Sequence, residues 1–343
     1  MMDVLTVPRI HPLDVVSMRV TTDRLSSLAK PPGSLGRLES LAIRLAGISG
    51  QPCPRYPSKL IVVCAADHGV SAAGVSAYPR AVTAQMLALL ERGGAAVCVL
   101  ARSVGAAVRV VDMGVHRADE AAPPPPATWL GNGTRDLAHG PAMDRAVAER
   151  AIAIGMSLAA DCDLVCTGDL GIANTTSGAA VVAAMTGADV DSITGTGTGI
   201  DASRRRHKRA VIARGLARGI GPEDPVGVLA SVGGFEIGAL CGLVVGAAVR
   251  RIPVVLDGLA SGAAALLAQA LAPGAIEFCI AGHVSAEPAH RRALRALALT
   301  PLLDLDLRLG EGTGAALALP LVDSATRILR EMATLDEAGV ASR

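Results

Sequence analysis

One carboxylate near the end of the chain has the surroundings expected of a general base. Glu311 stands between two glycines in the segment Arg308–Gly314, so no bulky neighbour in sequence blocks a ligand from its side chain. In a dry site the pKa of a glutamate rises, and a carboxylate with a raised pKa accepts protons efficiently near neutral pH. A glutamate near a helix N-terminus, stabilised by the helix dipole, fits the same pattern. The residues alone leave both interpretations open.

A second segment has the composition of an anion-binding loop. Residues Gly168–Ser177 combine glycines and Asp169 with an Asn-Thr-Thr run that begins at Asn174. At a helix start, unpaired backbone N–H groups and hydroxyls bind a phosphate or a sugar. Ordinary capping of the helix by Asn174 or Thr175 explains the run equally well.

Two further glycine-containing segments offer phosphate contacts. The Gly/Thr alternation of Thr194–Gly199 is typical of a phosphate loop, although it matches neither the Walker pattern nor the full G-x-G-x-x-G fingerprint. Lys208, one of three lysines in the chain, lies in the basic cluster behind this loop and is predicted to close over a phosphate. The arginines of that cluster fit a solvated helix face as well. Gly233 and Gly234 precede another helix and again present N–H groups to a ligand.

Other polar pairs carry weaker signals. The Asp67-His68 dipeptide suits an acid/base pair or the start of a metal site, but a loop-capping Asp and a His bonded to backbone suit it equally. Cys162 and Cys166 are four residues apart, and neither a second pair nor a nearby His completes a tetrahedral zinc set. The sequence therefore predicts neither a metal site nor a cofactor.

The segments that must position these residues alternate between strand and helix patterns. Strand patterns occur at Leu60–Ala66, Val108–Val115, Leu164–Thr167, Val254–Leu256 and Ile276–Ala281. Helix patterns occur at Ala84–Arg102, Met143–Ala159, Thr175–Thr186, Phe235–Arg250, Gly262–Ala270 and Glu287–Leu297. This alternation predicts an α/β fold with a mostly parallel sheet flanked by helices. Ligands of such sheets bind at the carboxyl ends of the strands.

The length of 343 residues predicts either one large domain with an appendage or two domains. We expect a large α/β catalytic domain at residues 57–305. Residues 1–56 and 306–343 show helix patterns without strands and are predicted to pack together as a small helical subdomain. Proline and glycine in Ala121–Asp136 predict a surface loop or linker.

Composition excludes several classes of protein. Lys plus Arg is 32 against Asp plus Glu at 31, which gives no basic field for nucleic acid, and five aromatic residues provide no stacking platform. A hydrophobic content of 51% raises the possibility of a membrane protein. The apolar stretches Ile237–Val249 and Leu259–Ala268 nevertheless fall short of the roughly 20 residues that a spanning helix needs. Since no secretory signal pattern is present at the N-terminus, we expect a cytoplasmic protein without membrane contact.

Taken together and in order, these segments resemble the nicotinate-nucleotide:dimethylbenzimidazole phosphoribosyltransferase family of cobalamin biosynthesis. The likeness runs through nearly the whole chain. It is carried by Lys30–Glu39, Ala66–Val70, Tyr78-Pro79, Val82–Met86, Gly171–Thr176, Val232–Glu236, Leu256–Gly258 and Arg308–Gly314.

The resemblance implies a transfer reaction. The ribose 5-phosphate of nicotinate mononucleotide passes to a nitrogen of 5,6-dimethylbenzimidazole, which gives α-ribazole 5′-phosphate and nicotinate for the lower ligand of cobalamin. Glu311 occupies the family position of the base that removes the benzimidazole proton. Attack opposite the departing nicotinate inverts C1′ from β to α, so no covalent enzyme intermediate is needed.

The resemblance also implies binding residues. The phosphate and ribose side corresponds to Asp169, Gly171, Asn174, Thr175, Lys208, Gly233, Gly234, Arg308 and Gly310, and the benzimidazole side to Tyr78, Gln85 and Met86. Family members often carry Glu at the position of Asp169, whose side chain is one methylene shorter. A Rossmann-like sheet, a small subdomain built from both chain ends, and a homodimer are further implications.

Two other classes of function compete with this interpretation. A nucleotide-dependent oxidoreductase would use the Gly195–Gly199 loop, but the glycine spacing and the missing acidic ribose partner disfavour it. A non-catalytic nucleotide-binding or carrier protein on the same fold is the other alternative, because a fold by itself does not define an activity.

Overall fold

The computed structural model describes residues 6–117 and 125–340. The strands and helices below are those of the described residues. In chain order they are α1 (Val15–Ser27), α2 (Arg37–Ser49), β1 (Lys59–Ala66), α3 (Val82–Glu91), α4 (Ala96–Ser103), β2 (Ala106–Gly114), α5 (Arg145–Ser157), β3 (Leu164–Leu170), α6 (Asn174–Thr186), α7 (Val190–Ile193), α8 (Ala202–Leu216), α9 (Pro225–Val232), α10 (Phe235–Val249), β4 (Val254–Leu256), α11 (Leu259–Leu271), β5 (Cys279–Ala281), β6 (His283–Val284), α12 (Pro288–Ala296), β7 (Leu303–Asp304) and α13 (Thr313–Glu331).

A parallel sheet forms the centre of the fold. Its strands lie in the order β2-β1-β3-β4-β5, and each neighbouring pair is parallel. β6 and β7 form a separate two-stranded parallel sheet. The strand order reverses between β1 and β3, which is the kind of switch point where open α/β sheets form a ligand crevice at the carboxyl ends. The predicted α/β class with a mostly parallel sheet is confirmed.

The central strands are buried on both faces. Residues 60–66 of β1 are all buried, and all of β3 is buried. Alternate residues of β1 enter two different apolar clusters: Val62 and Cys64 face one side of the sheet, and Ile61 and Val63 face the other. This two-sided burial explains why the strands appear in the sequence as continuous apolar runs.

Close helix packing accounts for the abundance of glycine and alanine. Helix α10 is buried along nearly its whole length and packs against α5. A Cβ at Gly242 would overlap with the carbonyl oxygen of Ile152, and one at Gly246 would overlap with that of Met156. The helices therefore approach backbone to backbone, and this buried layer, together with α11, contributes much of the high mean hydropathy.

One predicted helix is wrong in its extent. The single helix expected at Ala84–Arg102 is divided, since α3 ends at Glu91 and α4 begins at Ala96. Between them Gly93 adopts a left-handed conformation with φ of 73°, which breaks the helix. Segment Val82–Ser103 has the length and hydropathy of a membrane span, but a single such segment is a weak indication, and the turn divides this one.

The last strand prediction is also partly wrong. In Ile276–Ala281, the first residues belong to a 3-10 turn at Ala275–Phe278, and only Cys279–Ala281 pairs with β4. The other predicted helices and strands differ from the observed bounds by a few residues.

The two ends of the chain pack together. α2 contacts both α1 and α13, and a backbone bridge joins Leu28 to Thr334. Helix α13 also packs against α4 and β3, and Lys59 at the start of β1 binds Asp323 of α13 at 2.6 Å. Because α13 contacts both the terminal helices and the sheet, the predicted boundaries at residues 57 and 305 stay a prediction.

The proline-rich loop covers the end of β2. Residues 121–124 of the predicted loop lie outside the described residues. In the part that follows, Thr128 donates a hydrogen bond to the carbonyl of Asp112 and the indole of Trp129 donates to that of Val115. Residues 125–136 contain no helix and no named strand, as the prolines and glycines predict.

Candidate active site

The turn that carries Glu311 has an unusual backbone. Gly310, Glu311 and Gly312 have φ values of 81°, 62° and 88°, so three consecutive residues are left-handed just before α13. A glutamate rarely adopts this conformation, because its Cβ crowds the following carbonyl group. The Glu311 N–H donates to the carbonyl of Asp169 at 3.0 Å, which joins the turn to the end of β3. Glu311 is 4% exposed.

The environment of Glu311 suits proton acceptance. Burial raises the pKa of the Glu311 carboxyl, and the negative charge of Asp257 raises it further. Within the described part of the chain, no group bonds to its buried Oε2 atom. This buried oxygen therefore keeps an unused acceptor site. Stabilisation of the Glu311 carboxylate by the helix dipole is also compatible with the structure, because Glu311 lies just before the N-terminus of α13.

Asp169 is buried beside Glu311 at the end of β3. Its Oδ2 accepts a hydrogen bond from the Asn174 side chain at 2.7 Å, and its Oδ1 has no partner among the described residues. Burial, followed by the charges of Asp257 and Glu236, raises the pKa of Asp169 well above its ordinary value, although the Asn174 bond opposes the rise. A protonated Asp169 is a hydrogen-bond donor, whereas an ionised one is an acceptor only.

The start of α6 does not follow the simple capping alternative. Ala173, with a φ of 75°, occupies the cap position and provides no side-chain bond to the helix. Asn174 binds Asp169 instead, and the Thr175 hydroxyl accepts from the Lys208 ammonium at 2.8 Å. Capping by Asn174 or Thr175 is thus wrong. The first N–H groups of α6 keep no side-chain cap and suit an anion.

Lys208 is buried on the side of the site that is predicted to bind phosphate. It is 0% exposed on α8, whereas Arg204 and Arg206 of the same helix are exposed. Burial lowers the pKa of Lys208 to about 8, and the charge of Glu287 opposes this fall. A buried ammonium group next to a helix N-terminus is well placed for a phosphate.

A polar loop closes this side of the site. The N–H of Gly197 donates to Glu287 Oε1 at 2.7 Å, and the carbonyl of Gly197 accepts from the Arg308 guanidinium at 3.2 Å. Gly197 also lies close to the Lys208 ammonium, since a Cβ there would come within 3.3 Å of it. The phosphate loop expected at Thr194–Gly199 therefore meets the predicted Lys208 and Arg308.

A cleft opens between these residues at the carboxyl ends of β3, β4 and β5. It is lined by Asp169, Asn174, Thr175, Gly258, Leu259, Ala260, His283, Ser285, Glu287, Arg308, Leu309 and Gly310. Five of the residues predicted for the phosphate and ribose side thus share one cleft.

Three predicted glycines lie outside the lining of that cleft. A Cβ at Gly171 would overlap with the carbonyl oxygen of Ala66, so glycine is needed where the loop after β3 crosses the end of β1. Gly233 and Gly234 form the turn between α9 and α10. A Cβ at Gly234 would meet the Glu236 carboxylate and the His68 ring, so this turn packs on a buried ion pair. The ligand role of these glycines stays a prediction.

The residues predicted for the benzimidazole side lie on a separate, more open surface. Tyr78 is 56% exposed, Gln85 is exposed and Met86 is half-buried against the apolar cluster of α2, α4 and α13. None of the three lines the cleft described above. The segment before Tyr78 contacts the phosphate side, because the N–H of Ala77 donates to the Thr198 hydroxyl at 3.0 Å. Their role in base binding stays a prediction.

Asp67 and His68 both bind buried or backbone groups of the protein itself. Asp67 accepts a hydrogen bond from the N–H of His116 at 2.8 Å, as expected of a loop-capping carboxylate. His68 Nε2 lies 2.9 Å from Glu236 Oε1, and both side chains are buried. The His68 partner is therefore a carboxylate at the start of α10, and not the backbone.

Sequence reasoning missed three polar residues of the cleft. His283, Ser285 and Glu287 follow β5 and are buried. The N–H of Ser285 donates to Nδ1 of His290, and burial, followed by the charge of His283, lowers the pKa of His290 to about 3, so its ring is neutral. The available signal was position, because these residues come directly after a strand whose carboxyl end faces the crevice.

Comparison with known proteins identifies the family. Residues 10–340 match the family model described as Phosphoribosyltransferase. The chain belongs to this phosphoribosyltransferase family. It is 51% identical to the nicotinate-nucleotide--dimethylbenzimidazole phosphoribosyltransferase of Chloroflexus aggregans over 98% of each chain. It is 49% identical to the enzyme of that name from Desulforudis audaxviator, over 99% of this chain and 98% of the relative.

Solved structures of the phosphoribosyltransferase family have the same fold. A crystal structure named nictinate-nucleotide-dimethylbenzimidazole phosphoribosyltransferase, from Thermus thermophilus, superposes with a TM-score of 0.89 at 44% identity. The match covers 96% of this chain and all of that one. The fold, the cleft and the family thus agree that this chain is a transferase built on a Rossmann-like sheet.

Proposed function

We propose that this chain transfers the phosphoribosyl group of nicotinate mononucleotide to 5,6-dimethylbenzimidazole, with α-ribazole 5′-phosphate and nicotinate as products. The full-length relatives at about half identity that carry this enzyme name support the substrates. The observation that carries the proposal is the buried Glu311, whose pKa is raised by burial and by Asp257. It directly follows Gly310, which lines the cleft together with Thr175 and Arg308.

The anion site positions the nucleotide. The nucleotide phosphate binds the N–H groups at the start of α6, the Lys208 ammonium and the Arg308 guanidinium. A fixed phosphate holds the ribose so that C1′ faces the incoming base, and this orientation replaces a costly bimolecular encounter. The neutral form of Asp169 donates a hydrogen bond to the ribose or to the departing ring, which an ionised Asp169 cannot do.

The chemical step is a displacement at C1′. A lone pair on one benzimidazole nitrogen forms the new bond to C1′, and the bond from C1′ to the nicotinate nitrogen breaks. The electron pair of that bond neutralises the cationic ring nitrogen of the leaving group. Glu311 accepts the proton of the second benzimidazole nitrogen through its unpartnered Oε2. Attack from the opposite face converts the β nucleotide into the α product, without a covalent enzyme intermediate.

The broader setting follows from the substrates. We expect the enzyme to work in the cytoplasm, because both the nucleotide and the base are small soluble molecules. We further expect a homodimer, which light scattering of the purified protein would detect as twice the chain mass. Neither a metal nor an organic cofactor takes part in the proposed step.

A product-release assay tests the proposed function. Purified protein in the presence of a chelator is mixed with nicotinate mononucleotide, with or without 5,6-dimethylbenzimidazole, and nicotinate is measured. We expect nicotinate release only with the base, in equal amount to an α-configured ribazole phosphate. Turnover that requires added metal, or nucleotide binding without turnover over a panel of bases, would contradict the proposal. A fluorescence change with reduced nicotinamide dinucleotide would favour an oxidoreductase instead.

A further inference from the structure

The segment Leu256-Asp257-Gly258 has no role in the mechanism above, yet Asp257 is fully buried directly behind the catalytic turn. Its Oδ1 accepts hydrogen bonds from the N–H groups of Gly314 at 2.8 Å and Ala315 at 3.1 Å. Its Oδ2 accepts from the N–H of Gly312 at 3.1 Å. One carboxylate thus binds three of the four residues that follow Glu311.

We propose that Asp257 is a positioning residue for Glu311, which fixes the turn that presents the base and places a permanent negative charge behind it. The inference rests on the proposed role of Glu311. It assigns a function to a side chain that lies beneath the turn and not in the lining of the cleft.

The turn needs such a support. The left-handed conformation of Glu311 is unfavourable by itself, and it persists only where surrounding contacts determine it. The first N–H groups of α13 also lack partners within the helix. Asp257 satisfies several of these donors at once, and the fixed donors hold the backbone on the C-terminal side of Glu311. The bond from the Glu311 N–H to the Asp169 carbonyl holds the N-terminal side.

Asp257 is itself fixed to the sheet. Its N–H donates to the Thr167 hydroxyl at 3.0 Å, and that hydroxyl donates to Ser261 at 2.7 Å. His283 Nε2 lies 3.4 Å from Oδ1 of Asp257. Since Thr167 belongs to β3 and Asp257 follows β4, the position of Glu311 is determined by two central strands and not by its own loop alone.

The charge of Asp257 adds an electrostatic effect. Burial opposes ionisation of Asp257, but His283 and the N–H groups of Ala315 and Gly312 outweigh it, so the pKa of Asp257 lies below its ordinary value. The fixed anion raises the pKa of Glu311. The other titratable or charged groups around the turn are Asp169 near the end of β3, His283 in β6 and Arg308 on the same loop. Since Glu311 must be ionised to accept a proton, the activity falls on the acid side at a higher pH than for an ordinary glutamate.

The variant Asp257→Asn tests both parts of the proposal. The asparagine oxygen still accepts from Gly314 and Ala315, but its NH₂ group faces the N–H of Gly312, so two donors meet. We expect kcat to fall by roughly 10-fold to 100-fold because the base is misplaced. We also expect the acid limb of the kcat profile to move to lower pH, because the neutral side chain no longer raises the pKa of Glu311. A merely structural role would lower the melting temperature without moving this limb.

A matched substitution at another helix start provides the control. Asp14 accepts from the N–H of Ser17 at 2.6 Å at the start of α1, so Asp14→Asn should leave kcat and the acid limb unchanged. A kcat for Asp257→Asn within about twofold of wild type, with an unmoved acid limb, would overturn the proposal. A wild-type protein without turnover would instead contradict the proposed function.

A crystal structure and a second variant test the proposal further, including the case in which Asp257→Asn does not fold. A crystal structure of Asp257→Asn should show a shifted Gly310–Gly312 turn, and an unchanged turn would contradict the positioning role. Where that variant does not fold, Thr167→Val removes the hydroxyl that binds the Asp257 N–H. Its kcat should fall below that of the control Thr326→Val. Thr326 is buried on α13, and its hydroxyl donates to the carbonyl of Asp323 in the same helix. Equal kcat values for these two variants would count against the proposal.

Discussion

At the residue scale, three neighbouring buried acids differ in how their surroundings shift the pKa. Burial raises the pKa of both Asp169 and Glu311, whereas hydrogen bonds lower the pKa of Asp257 despite its full burial. In the proposed mechanism, Asp169 serves as a hydrogen-bond donor, Glu311 as the proton acceptor and Asp257 as a fixed anion. This separation of pKa values by environment is what allows neighbouring carboxyl groups to take different roles.

Lys208 provides a prediction at this scale. Lys208→Met removes the buried ammonium group while keeping an unbranched apolar side chain, so the phosphate loses a charge-assisted hydrogen bond. Such a bond contributes about 1.5–3 kcal/mol, so we expect the KM for the nucleotide to rise by roughly 10-fold to 100-fold. The KM for the base should change little. Steady-state kinetics with each substrate varied in turn measures both values.

Lys59 supplies the control for that variant. It lies at the start of β1, at the opposite end of the sheet from the cleft, and its partner is Asp323. Lys59→Met should leave the KM for the nucleotide at the wild-type value. A nucleotide KM that is the same in both variants would exclude Lys208 from phosphate binding.

The sequence could predict some of these residues and not others. Glu311 stands out through its glycine neighbours and Lys208 through the rarity of lysine, and the structure buries both. Glu311 follows Gly310 and Lys208 donates to Thr175, and these two partners line the cleft. Glu287 and the hydrogen-bond role of Asp257 could not be foreseen, because their partners Gly197 and Gly312 lie 90 and 55 residues away in the chain. A role that depends on such distant contacts leaves no local pattern.

At the element scale, apolar periodicity located the sheet well and the helix ends less well. β1, β3 and β4 were predictable because strands buried on both faces form continuous apolar runs. The division between α3 and α4 was missed, since apolar residues continue on both sides of the Gly93 turn. The division at Ala275–Cys279 was missed as well, because a 3-10 turn and a strand share one apolar run.

The close contact between α5 and α10 predicts that a larger side chain at this contact lowers the free energy of unfolding. Gly242→Ala places a methyl group against the carbonyl oxygen of Ile152, a backbone atom that cannot move aside alone. The helices must separate, so we expect a loss of about 1–3 kcal/mol in the free energy of unfolding. Urea unfolding at constant pH measures the loss.

A glycine in open space is the matched control. Among the described residues, no atom lies within 4 Å of a Cβ built at Gly140, and the φ of Gly140 is not positive. Gly140→Ala should leave the free energy of unfolding unchanged or raise it slightly, because the unfolded chain loses freedom. Equal stabilities of the two variants would show that the α5–α10 contact tolerates a methyl group.

At the scale of the whole molecule, near-neutral charge and few aromatic rings fit an enzyme for small molecules. The charged residues that line the cleft lie at the carboxyl end of the sheet, where Asp169 is near the end of β3 and Glu287 and Arg308 lie in the loops before α12 and α13. The first and last helices pack together, so the catalytic turn before α13 is tied to both the sheet and the terminal helices. The chain ends thus contribute directly to the geometry of the site.

The most direct test of the account concerns the base itself. Glu311→Gln keeps the shape of the side chain but removes its capacity to accept the benzimidazole proton. We expect kcat to fall by roughly 10²-fold to 10⁴-fold, the usual contribution of a general base. The dissociation constant for nicotinate mononucleotide should change by less than about threefold, because the phosphate contacts remain. The exposed Glu277 supplies the control, and Glu277→Gln should retain the wild-type kcat.

The measurement is kcat of nicotinate release for Glu311→Gln with saturating nucleotide and 5,6-dimethylbenzimidazole, alongside nucleotide binding by calorimetry. A large fall in kcat with intact nucleotide binding is the result that this account predicts. A kcat within about threefold of wild type would contradict it, since the proton would then leave the base without help from Glu311.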